Sequence, residues 1–558
     1  MSKFVTNMQK YSGHIVDIPG HRIFDGTVSV ENGIIADIAE SAVRAGSPYI
    51  MPGFIDSHVH IESTLLIPEN FARIAVRQGL VAAVCDPHEI ANVLGVPGIE
   101  YMVANGKKVR FNFLFGIPSC VPCTANETNG ATIGSADVAA LMGRPEFYGL
   151  GEMMNFVGMQ YGDPEVLAKI RCALDAGKLI DGHGPGLTGD KARLMFESGL
   201  TADHEVDRLE IGLERTRIGM KVQIREGSAA CDLDELMPLL SDDASRGMTM
   251  FCTDDKYPDE SYLGWINQSA ARCVKAGYDL WRVLETACMT PAEHYRTGTG
   301  LLRKGDRANF IKVRDLTGFQ VLETVIDGFT VFAGDHCTAD LILDSSGPEA
   351  YVPNCFKAEG IKESDLALRD CGKRIKVIRS AEGSLVTGRY TAVPKVRDGF
   401  LESDVERDIL KIAVLNRYTE HAIPAVGFIS GFGLKSGALA STIAHDSHNI
   451  VAIGASDREM AIAVNALVRC KGGLCVVRDG RPHVLELPVA GLMSVRHPRE
   501  VSERHMELKG IAQQIGCRYA APFMTMSFMA LPPIPELKIT DRGLFDVSTF
   551  AFTDLFDA

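Results

Sequence analysis

Two histidines at alternate positions, His58 and His60, are the first residues whose types and spacing could do chemistry. They end the stretch Met51-Pro-Gly-Phe-Ile-Asp-Ser-His-Val-His60, in which a short apolar segment runs into polar residues. In an extended strand, side chains two positions apart point to the same face, so both imidazoles would project together. Neutral imidazole nitrogen is a common ligand of divalent metals. The pair indicates a metal site, although by itself it also fits a strand cap beside a solvated side chain.

Four further ligand-type side chains stand directly after later apolar, strand-like segments: Glu152, His183, His204 and Asp254. Six such side chains at one rim exceed the needs of one ion and predict two adjacent divalent metals that share a bridging hydroxide. We expect the two histidines of the first strand to hold one metal. His183 and His204 would hold the second, with Glu152 between them as the bridge. Asp254 would complete the first site and carry protons, with Asp255 as the alternative.

The candidate ligands recur within a regular order of strand-like and helix-like segments. Between Ile50 and Cys252, eight apolar segments each end in polar residues, and helical candidates lie between them, among them Pro68–Gln78, Pro164–Ala176 and Lys191–Ser198. Alternating strands and helices imply a parallel sheet, and eight repeats predict a (β/α)8 TIM-like barrel of the α/β class. Reactive groups of such barrels lie at the C-terminal ends of the strands, where the six candidates stand.

Segments on both sides of the barrel have a different pattern. Residues 14–50 alternate apolar and polar side chains around the hairpin signal Asn32-Gly33, and residues 300–335 return to strand and turn character. We expect these flanks to pair into a small β-sandwich domain. Helices are predicted at Val405–Asn416 and Asp457–Leu467 in an additional C-terminal α+β domain. The predicted division is 1–50 and 296–346 for the small β domain, 51–295 for the barrel and 347–558 for the C-terminal domain.

Bulk properties narrow the class of protein. The chain has 558 residues and a formal net charge of -14, which argues against a nucleic-acid partner because that needs a basic face. Its 14 cysteines, spread over so long a chain, predict reduced thiols rather than a secreted disulfide framework. We find no signal-peptide pattern and no apolar run near the roughly 20 residues of a membrane span. We therefore expect a cytoplasmic enzyme without a membrane partner.

Two other readings of the metal-ligand residues are weaker. The zinc deaminase signature combines His-x-Glu with Pro-Cys-x-x-Cys, which His60-Ile-Glu62 and Cys120-Val-Pro-Cys123 imitate. Here, however, Ser119 separates the proline from the first cysteine, and that fold lacks eight strand-end clusters. The chain could also be a metal-binding scaffold without turnover, but Asp254 beside a full ligand set speaks against this.

Motifs along nearly the whole chain resemble the bacterial adenine deaminases of the amidohydrolase superfamily. The narrower markers are Asp86-Pro-His-Glu89 and His445-Asp-Ser-His-Asn449, whereas the Pro-Gly-Phe-Ile-Asp-x-His-x-His opening is shared across the superfamily. Many amidohydrolases bridge their metals with a carboxylated lysine on the fourth strand, and this chain has Glu152 there, as this family does. The resemblance implies hydrolytic deamination of adenine to hypoxanthine and ammonia. The alternative is an amidohydrolase acting on another aminopurine or a cyclic amide.

The resemblance also bears on cofactor, substrate and partners. It implies two manganese or iron ions, although the ligand types accept zinc as well. We expect a homodimer or higher homo-oligomer. His88 and Glu89 would bind or protonate the ring nitrogens, with helix capping as the alternative. His448, with His445, would either fold over the barrel mouth and bind the base, or stabilise a loop in the C-terminal domain. Three residues at the seventh strand would contact the edge of the base: Arg225, Glu226 and Ser228. For Arg225, an ion pair at the rim of the barrel is the alternative.

Overall fold

The N-terminal segment forms antiparallel strands, as its alternating pattern predicts. The computed structural model describes residues 8–344, 352–382 and 384–557. Asn32 and Gly33 join the second and third strands with φ angles of 52° and 78°, as a tight hairpin turn requires. The strands of this segment are β1 (Gln9–Asp17), β2 (Arg22–Glu31), β3 (Ile34–Glu40) and β4 (Tyr49–Pro52).

Eight parallel strands then form a nearly closed barrel, which confirms the predicted (β/α)8 architecture. Each strand pairs with the next one along the chain. A parallel bridge between Val59 and Asp254 brings the first and last strands together. The barrel strands are β5 (Phe54–Val59), β6 (Leu80–Cys85), β7 (Asn112–Ile117), β8 (Phe147–Met153), β9 (Leu179–Gly182), β10 (Ala202–Asp203), β11 (Lys221–Arg225) and β12 (Thr249–Cys252).

The chain leaves the barrel and returns to the N-terminal sheet. Strand β13 pairs with β4, so that Phe310 lies opposite Pro52 and Val313 opposite Tyr49. The expected pairing of the two flanks is therefore confirmed, and together they form one eight-stranded sheet with a small apolar core of its own. The returning strands are β13 (Phe310–Val313), β14 (Val321–Ile326), β15 (Phe329–Ala333) and β16 (His336–Cys337).

The C-terminal region is built around a third eight-stranded sheet, with two smaller sheets beside it. The main sheet contains β18 (Ile375–Arg379), β19 (Gly388–Ala392), β22 (Leu410–Leu415), β23 (Ala425–Ser430), β24 (Ala438–Ser441), β25 (Ile450–Gly454), β26 (Gly473–Arg478) and β27 (Arg481–Glu486). The smaller sheets contain β17 (Leu368–Arg369), β20 (Lys395–Arg397) and β21 (Phe400–Glu402), and β28 (Leu537–Thr540), β29 (Gly543–Asp546) and β30 (Ala551–Phe552).

The prediction of a helix at Val405–Asn416 is wrong. Strand β22 occupies its second half and lies between β23 and β25 in the sheet. All residues of β22 are buried. The segment therefore lacks the alternation of polar and apolar side chains that would distinguish a strand from a buried helix. Even Lys411 is buried there, with its Nζ 2.6 Å from Oδ2 of Asp457.

Helices cover the barrel and pack on both faces of the C-terminal sheet. Helix α1 begins at a proline, whose fixed φ suits the first helical position, and Phe71, Ile74 and Ala75 recur on its buried face. No helix within the described residues is both long and apolar enough to cross a membrane. The helices are α1 (Pro68–Arg77), α2 (His88–Leu94), α3 (Val96–Gly106), α4 (Ser135–Met142), α5 (Phe156–Tyr161), α6 (Pro164–Asp175), α7 (Asp190–Glu197), α8 (Leu209–Ile218), α9 (Leu233–Leu236), α10 (Pro258–Leu263), α11 (Ile266–Lys275), α12 (Leu280–Leu284), α13 (Thr290–His294), α14 (Asp457–Cys470), α15 (Pro498–Gln514) and α16 (Pro522–Ser527).

Candidate metal centre

The first group of candidate ligands converges where β5 and β12 meet. The backbone N–H of His60 donates to the carbonyl of Asp254 over 3.0 Å, which places the two side chains together. Nε2 of His60 lies 3.0 Å from Oδ1 of Asp254 and 3.3 Å from Oε1 of Glu152. Nε2 of His58 lies 3.3 Å from Nε2 of His60 and 3.4 Å from Oδ1 of Asp254. Two imidazole nitrogens and two carboxylate oxygens thus face one point.

The second group shares Glu152 with the first. Nδ1 of His183 lies 2.7 Å from Oε2 of Glu152, and Nε2 of His204 lies 3.2 Å from the same oxygen. The rings of His58 and His204 stack with centroids 4.0 Å apart, so the two groups are neighbours. Because Oε1 of Glu152 faces one group and Oε2 the other, this carboxylate has the placement of a bridge between two ions.

Residues behind the ligands fix their orientation. The backbone carbonyl of Asp86 lies 2.9 Å from Nδ1 of His60, which turns Nε2 toward the shared point. The side chain of Asp86 accepts a hydrogen bond from the backbone N–H of Glu152 over 2.9 Å. Such outer contacts tune and orient metal ligands in proteins. Sequence reasoning gave Asp86 no role, although its place directly after β6 was a usable signal.

Buried carboxylates at the centre are held in their ionised form. Burial raises the pKa of Asp254, but contacts with His58 and His60 and the charge of Arg225 outweigh it and hold that pKa well below its usual range. Burial likewise raises the pKa of Glu152, but the surrounding imidazoles outweigh it and hold that pKa well below its usual range. Ionised carboxylates with imidazole nitrogens are a donor set that suits manganese, iron or zinc, so these residues fit a pair of divalent ions.

The geometry separates Asp254 from Asp255. The side chain of Asp254 contacts both histidines of β5, whereas Asp255 accepts a hydrogen bond from Ser63. Burial, followed by the neighbouring charge of Asp254, raises the pKa of Asp255. The Asp254 carboxylate therefore contacts the first ligand group directly, and its role as the ligand stays a prediction.

Arg225 lies in a buried network of carboxylates. Its Nη1 donates to Oδ2 of Asp254 over 3.1 Å and also to Glu205, and its Nε donates to Oδ2 of Asp232 over 3.0 Å. Glu205 also approaches the second ligand group, with Oε1 3.7 Å from Nε2 of His204. Sequence reasoning passed over Glu205, although it follows that histidine directly.

The other two residues predicted after the seventh strand contact parts of the loop and helices. Glu226 forms an ion pair with Arg272. The Ser228 hydroxyl donates to Oε2 of Glu260 over 2.5 Å and accepts from the backbone N–H of Tyr257 over 2.9 Å. None of these three contacts involves the metal-ligand groups, so a base-reading role for Glu226 and Ser228 stays a prediction.

The residues after β6 lie beside the ligand groups and meet the C-terminal domain. Nδ1 of His88 lies 3.3 Å from Oε1 of Glu152, and Nε2 of His88 lies 3.6 Å from Oε1 of Glu89. Glu89 in turn contacts His445 and His448. The segment that carries His445 and His448 therefore reaches the barrel mouth.

Comparison with known proteins identifies the family. The model described as amidohydrolase family matches residues 49–331, and the model described as adenine deaminase C-terminal domain matches residues 384–551. The adenine deaminase of Salinibacter ruber is 46% identical over 546 residues, covering 98% of either chain. The adenine deaminase of Methanosarcina barkeri is 44% identical over 553 residues, covering 98% of this chain and 100% of the relative. This chain belongs to the adenine deaminase family, within the amidohydrolases.

Proposed function

We propose that this chain deaminates adenine hydrolytically to hypoxanthine and ammonia. The observation that carries the proposal is the placement of Glu152 between two histidine groups, in a chain that aligns over nearly its full length with curated adenine deaminases. The chain depends on divalent metal, as its family and its ligand clusters indicate.

Six residues would hold two ions. The first ion would bind His58, His60 and Asp254, and the second would bind the histidines that follow β9 and β10, with Glu152 shared. Bound there, two divalent cations would lower the pKa of water enough to supply hydroxide at neutral pH. We propose manganese, with iron or zinc possible on the same donor set.

Asp254 is the proposed general base and acid. A carboxylate held beside the attacking water would take its proton and deliver that proton to the departing amino group. Oδ2 of Asp254 accepts from Arg225 over 3.1 Å while Oδ1 faces the histidines of β5. Arg225 therefore positions Asp254, which supports the ion-pair reading of this arginine over direct contact with the base.

His88 and Glu89 are the proposed contacts to the ring nitrogens. His88 is 4% exposed and Glu89 1% exposed, so a base bound beside them would be shielded from water. Glu89 is held by two histidines of the C-terminal domain, His445 and His448. In this proposal His448 fixes the orientation of Glu89, and Glu89 exchanges a proton with the ring as the amino group leaves.

The cellular setting and assembly are also proposals. The 14 cysteines are unpaired, which supports a reducing compartment such as the cytoplasm. We propose a homodimer or larger assembly. We further propose the four-part division of the chain at residues 50, 295 and 346. Light scattering of the purified protein measures the assembly.

The test is a metal-replacement assay. The protein is stripped with a chelator and reloaded with manganese, iron or zinc. Ammonia release is measured from adenine and other aminopurines, and ring opening is measured for a cyclic amide. We expect release from adenine only after reloading, fastest with manganese. The competing function is favoured instead if another aminopurine releases ammonia, or the cyclic amide is ring-opened, while adenine is not hydrolysed. Full activity in the stripped protein contradicts the two-metal site.

A further inference from the structure

A buried carboxyl group without a partner lies in the barrel loop that follows β7. Glu127 is 3% exposed, and neither of its side-chain oxygens has a hydrogen-bond partner in the described part of the chain. Ser447 approaches it without a well-aligned hydrogen bond. Burial, followed by the charge of Asp446, raises the pKa of Glu127 well above its usual range, so the group is protonated near neutral pH. Its O–H is a donor whose burial without an acceptor is costly, so a partner for it is expected.

A second buried carboxyl group, that of Asp446, connects Glu127 to the metal-ligand groups. Asp446 is 3% exposed, and its Oδ2 is also without a partner among the residues that the structure describes. Its Oδ1 lies 3.8 Å from Nε2 of His88, and Nδ1 of the same ring lies 3.3 Å from Oε1 of Glu152. One imidazole and two contacts therefore separate Asp446 from the bridging carboxylate. A purine with one contact at either end spans a similar distance.

The C-terminal domain holds the backbone of the loop that carries Glu127. Nη1 of Arg542 donates to the carbonyl of Ala125 over 2.8 Å, and Nη2 donates to the carbonyl of Glu127 over 3.2 Å. Oδ1 of Asp541 accepts from the backbone N–H of Thr128 over 3.0 Å. These bonds fix the chain on both sides of the buried carboxyl group, as a preorganised binding group requires.

The edge of adenine opposite its amino-bearing carbon has one acceptor and one donor. That carbon, C6, is the atom that hydroxide would attack, and N3 lies directly across the six-membered ring from it, with N9–H beside N3. A base bound with C6 at the metal-ligand groups would therefore present N3 and N9–H to Glu127 and Asp446. An O–H donor next to a carboxylate oxygen complements this edge.

We infer that Glu127 and Asp446 form the far end of the substrate site, where Glu127 donates a hydrogen bond to N3 and Asp446 accepts one from N9–H. This inference rests on the proposed deamination of adenine and adds the substrate class, which is the free base. An adenine with a substituent on N9, such as a nucleoside, lacks the hydrogen that Asp446 accepts and brings bulk against a buried carboxylate. Such compounds would be rejected.

The first test compares product analogues on the wild-type protein. The inhibition constants of hypoxanthine, 3-deazahypoxanthine and 9-methylhypoxanthine are measured against turnover of adenine. The second compound has C–H in place of N3, and the third lacks N9–H. We expect each of these two to bind at least about tenfold more weakly than hypoxanthine. Binding of 3-deazahypoxanthine equal to that of hypoxanthine overturns the contact at N3, and equal binding of 9-methylhypoxanthine overturns the contact at N9.

The second test assigns the contact at N3 to Glu127. Glu127→Met removes the donor at similar volume, and Glu127→Gln replaces it with an N–H donor. We expect Met to raise the inhibition constant of hypoxanthine about tenfold and to abolish the preference for hypoxanthine over its 3-deaza analogue, whereas Gln stays within about threefold of wild type. Bound metal should not change. The matched control is Glu285→Met, a buried glutamate that pairs with Arg246 and His21, and it should keep the wild-type preference.

The third test loosens the loop and leaves Glu127 in place. Arg542→Met removes both hydrogen bonds from its guanidinium to the loop carbonyls. We expect the preference for hypoxanthine over 3-deazahypoxanthine to fall at least about threefold, with unchanged metal content. The control is Arg389→Met, because Arg389 forms ion pairs with Glu536 and Asp546 inside the C-terminal domain, and its preference should match the wild type.

The outcomes separate this inference from the function on which it rests. A Glu127→Met protein that keeps the wild-type preference for hypoxanthine over its 3-deaza analogue overturns the role of Glu127 and leaves adenine deamination in place. A wild-type chain that releases no ammonia from adenine overturns the proposed function itself. Should Glu127→Met not fold, Arg542→Met decides, and an unchanged preference in that variant overturns the inference.

Discussion

Glu89, at the start of the helix after β6, contacts Nε2 of His448 through its Oε2, across 359 positions of sequence. The other oxygen of the same carboxylate contacts Nδ1 of His445. All three side chains are buried. The barrel mouth and the C-terminal domain are therefore joined by charged and polar groups at the site itself, and a change in one domain should be measurable in the chemistry of the other.

Replacing His448 with alanine should lower activity and stability together. The change leaves one oxygen of Glu89 buried without its partner, which costs about 1–3 kcal/mol. We expect kcat/KM for adenine to fall at least about tenfold because Glu89 is no longer held. Urea unfolding and steady-state assays measure the two effects. The control is His421→Ala, since His421 pairs with Glu359 at the surface and is 81% exposed. Unaltered turnover and affinity in His448→Ala would remove the positioning role.

Replacing Glu152 with glutamine should remove metal and activity together. An amide offers one oxygen and a donor N–H, so it cannot accept an ion on each side as a carboxylate can. We expect bound metal to fall below one ion per chain and deamination to be lost, measured by elemental analysis and ammonia release. Glu146→Gln is the control, because Glu146 lies just before the same strand and pairs with Lys107 at the surface. Full metal content with normal turnover would contradict the bridging role.

The barrel was predictable because its evidence is local. Each strand is a short β-prone segment that ends in polar residues, and the parallel order brings those ends to one rim, so that His183 and His204 could be assigned from sequence. The helix error at Val405–Asn416 has a physical cause as well. Strand β22 is buried on both faces, and a fully buried segment shows neither the strand nor the helix period.

The approach of the C-terminal residues Leu385 and Phe528 to Asp254 was not predictable for a different reason. Phe528, Leu385 and Lys538 belong to no motif, and nothing in their neighbours distinguishes them from core residues. Their meeting depends on tertiary packing between segments that are distant in sequence. The segment that carries His445 was flagged by its histidines, but its contact with Glu89 required the structure.

Replacing Asp254 with asparagine should abolish most of the turnover, and replacing Asp255 should not. Asparagine keeps the shape but cannot carry a proton, so we expect kcat to fall by about 10²–10⁴ in Asp254→Asn. Asp255 contacts Ser63 rather than the histidines, and we expect less than about a tenfold loss in Asp255→Asn. Steady-state kinetics with adenine compare the two variants at matched metal content. The reverse ranking would reassign the proton carrier to Asp255.

Replacing Lys538 with methionine should change how stability depends on pH. Burial lowers the pKa of Lys538 to about 7 in the folded protein, whereas an unfolded lysine titrates near 10.4. Between these values the unfolded chain binds a proton that the folded chain lacks, so wild-type stability should rise with pH relative to Lys538→Met, by at most about 1.4 kcal/mol per pH unit. Below pH 7 the difference should be flat, since both states are protonated. Urea unfolding of both proteins at pH 6, 7, 8 and 9 measures this difference, and parallel curves across that range would show that Lys538 keeps its ordinary titration.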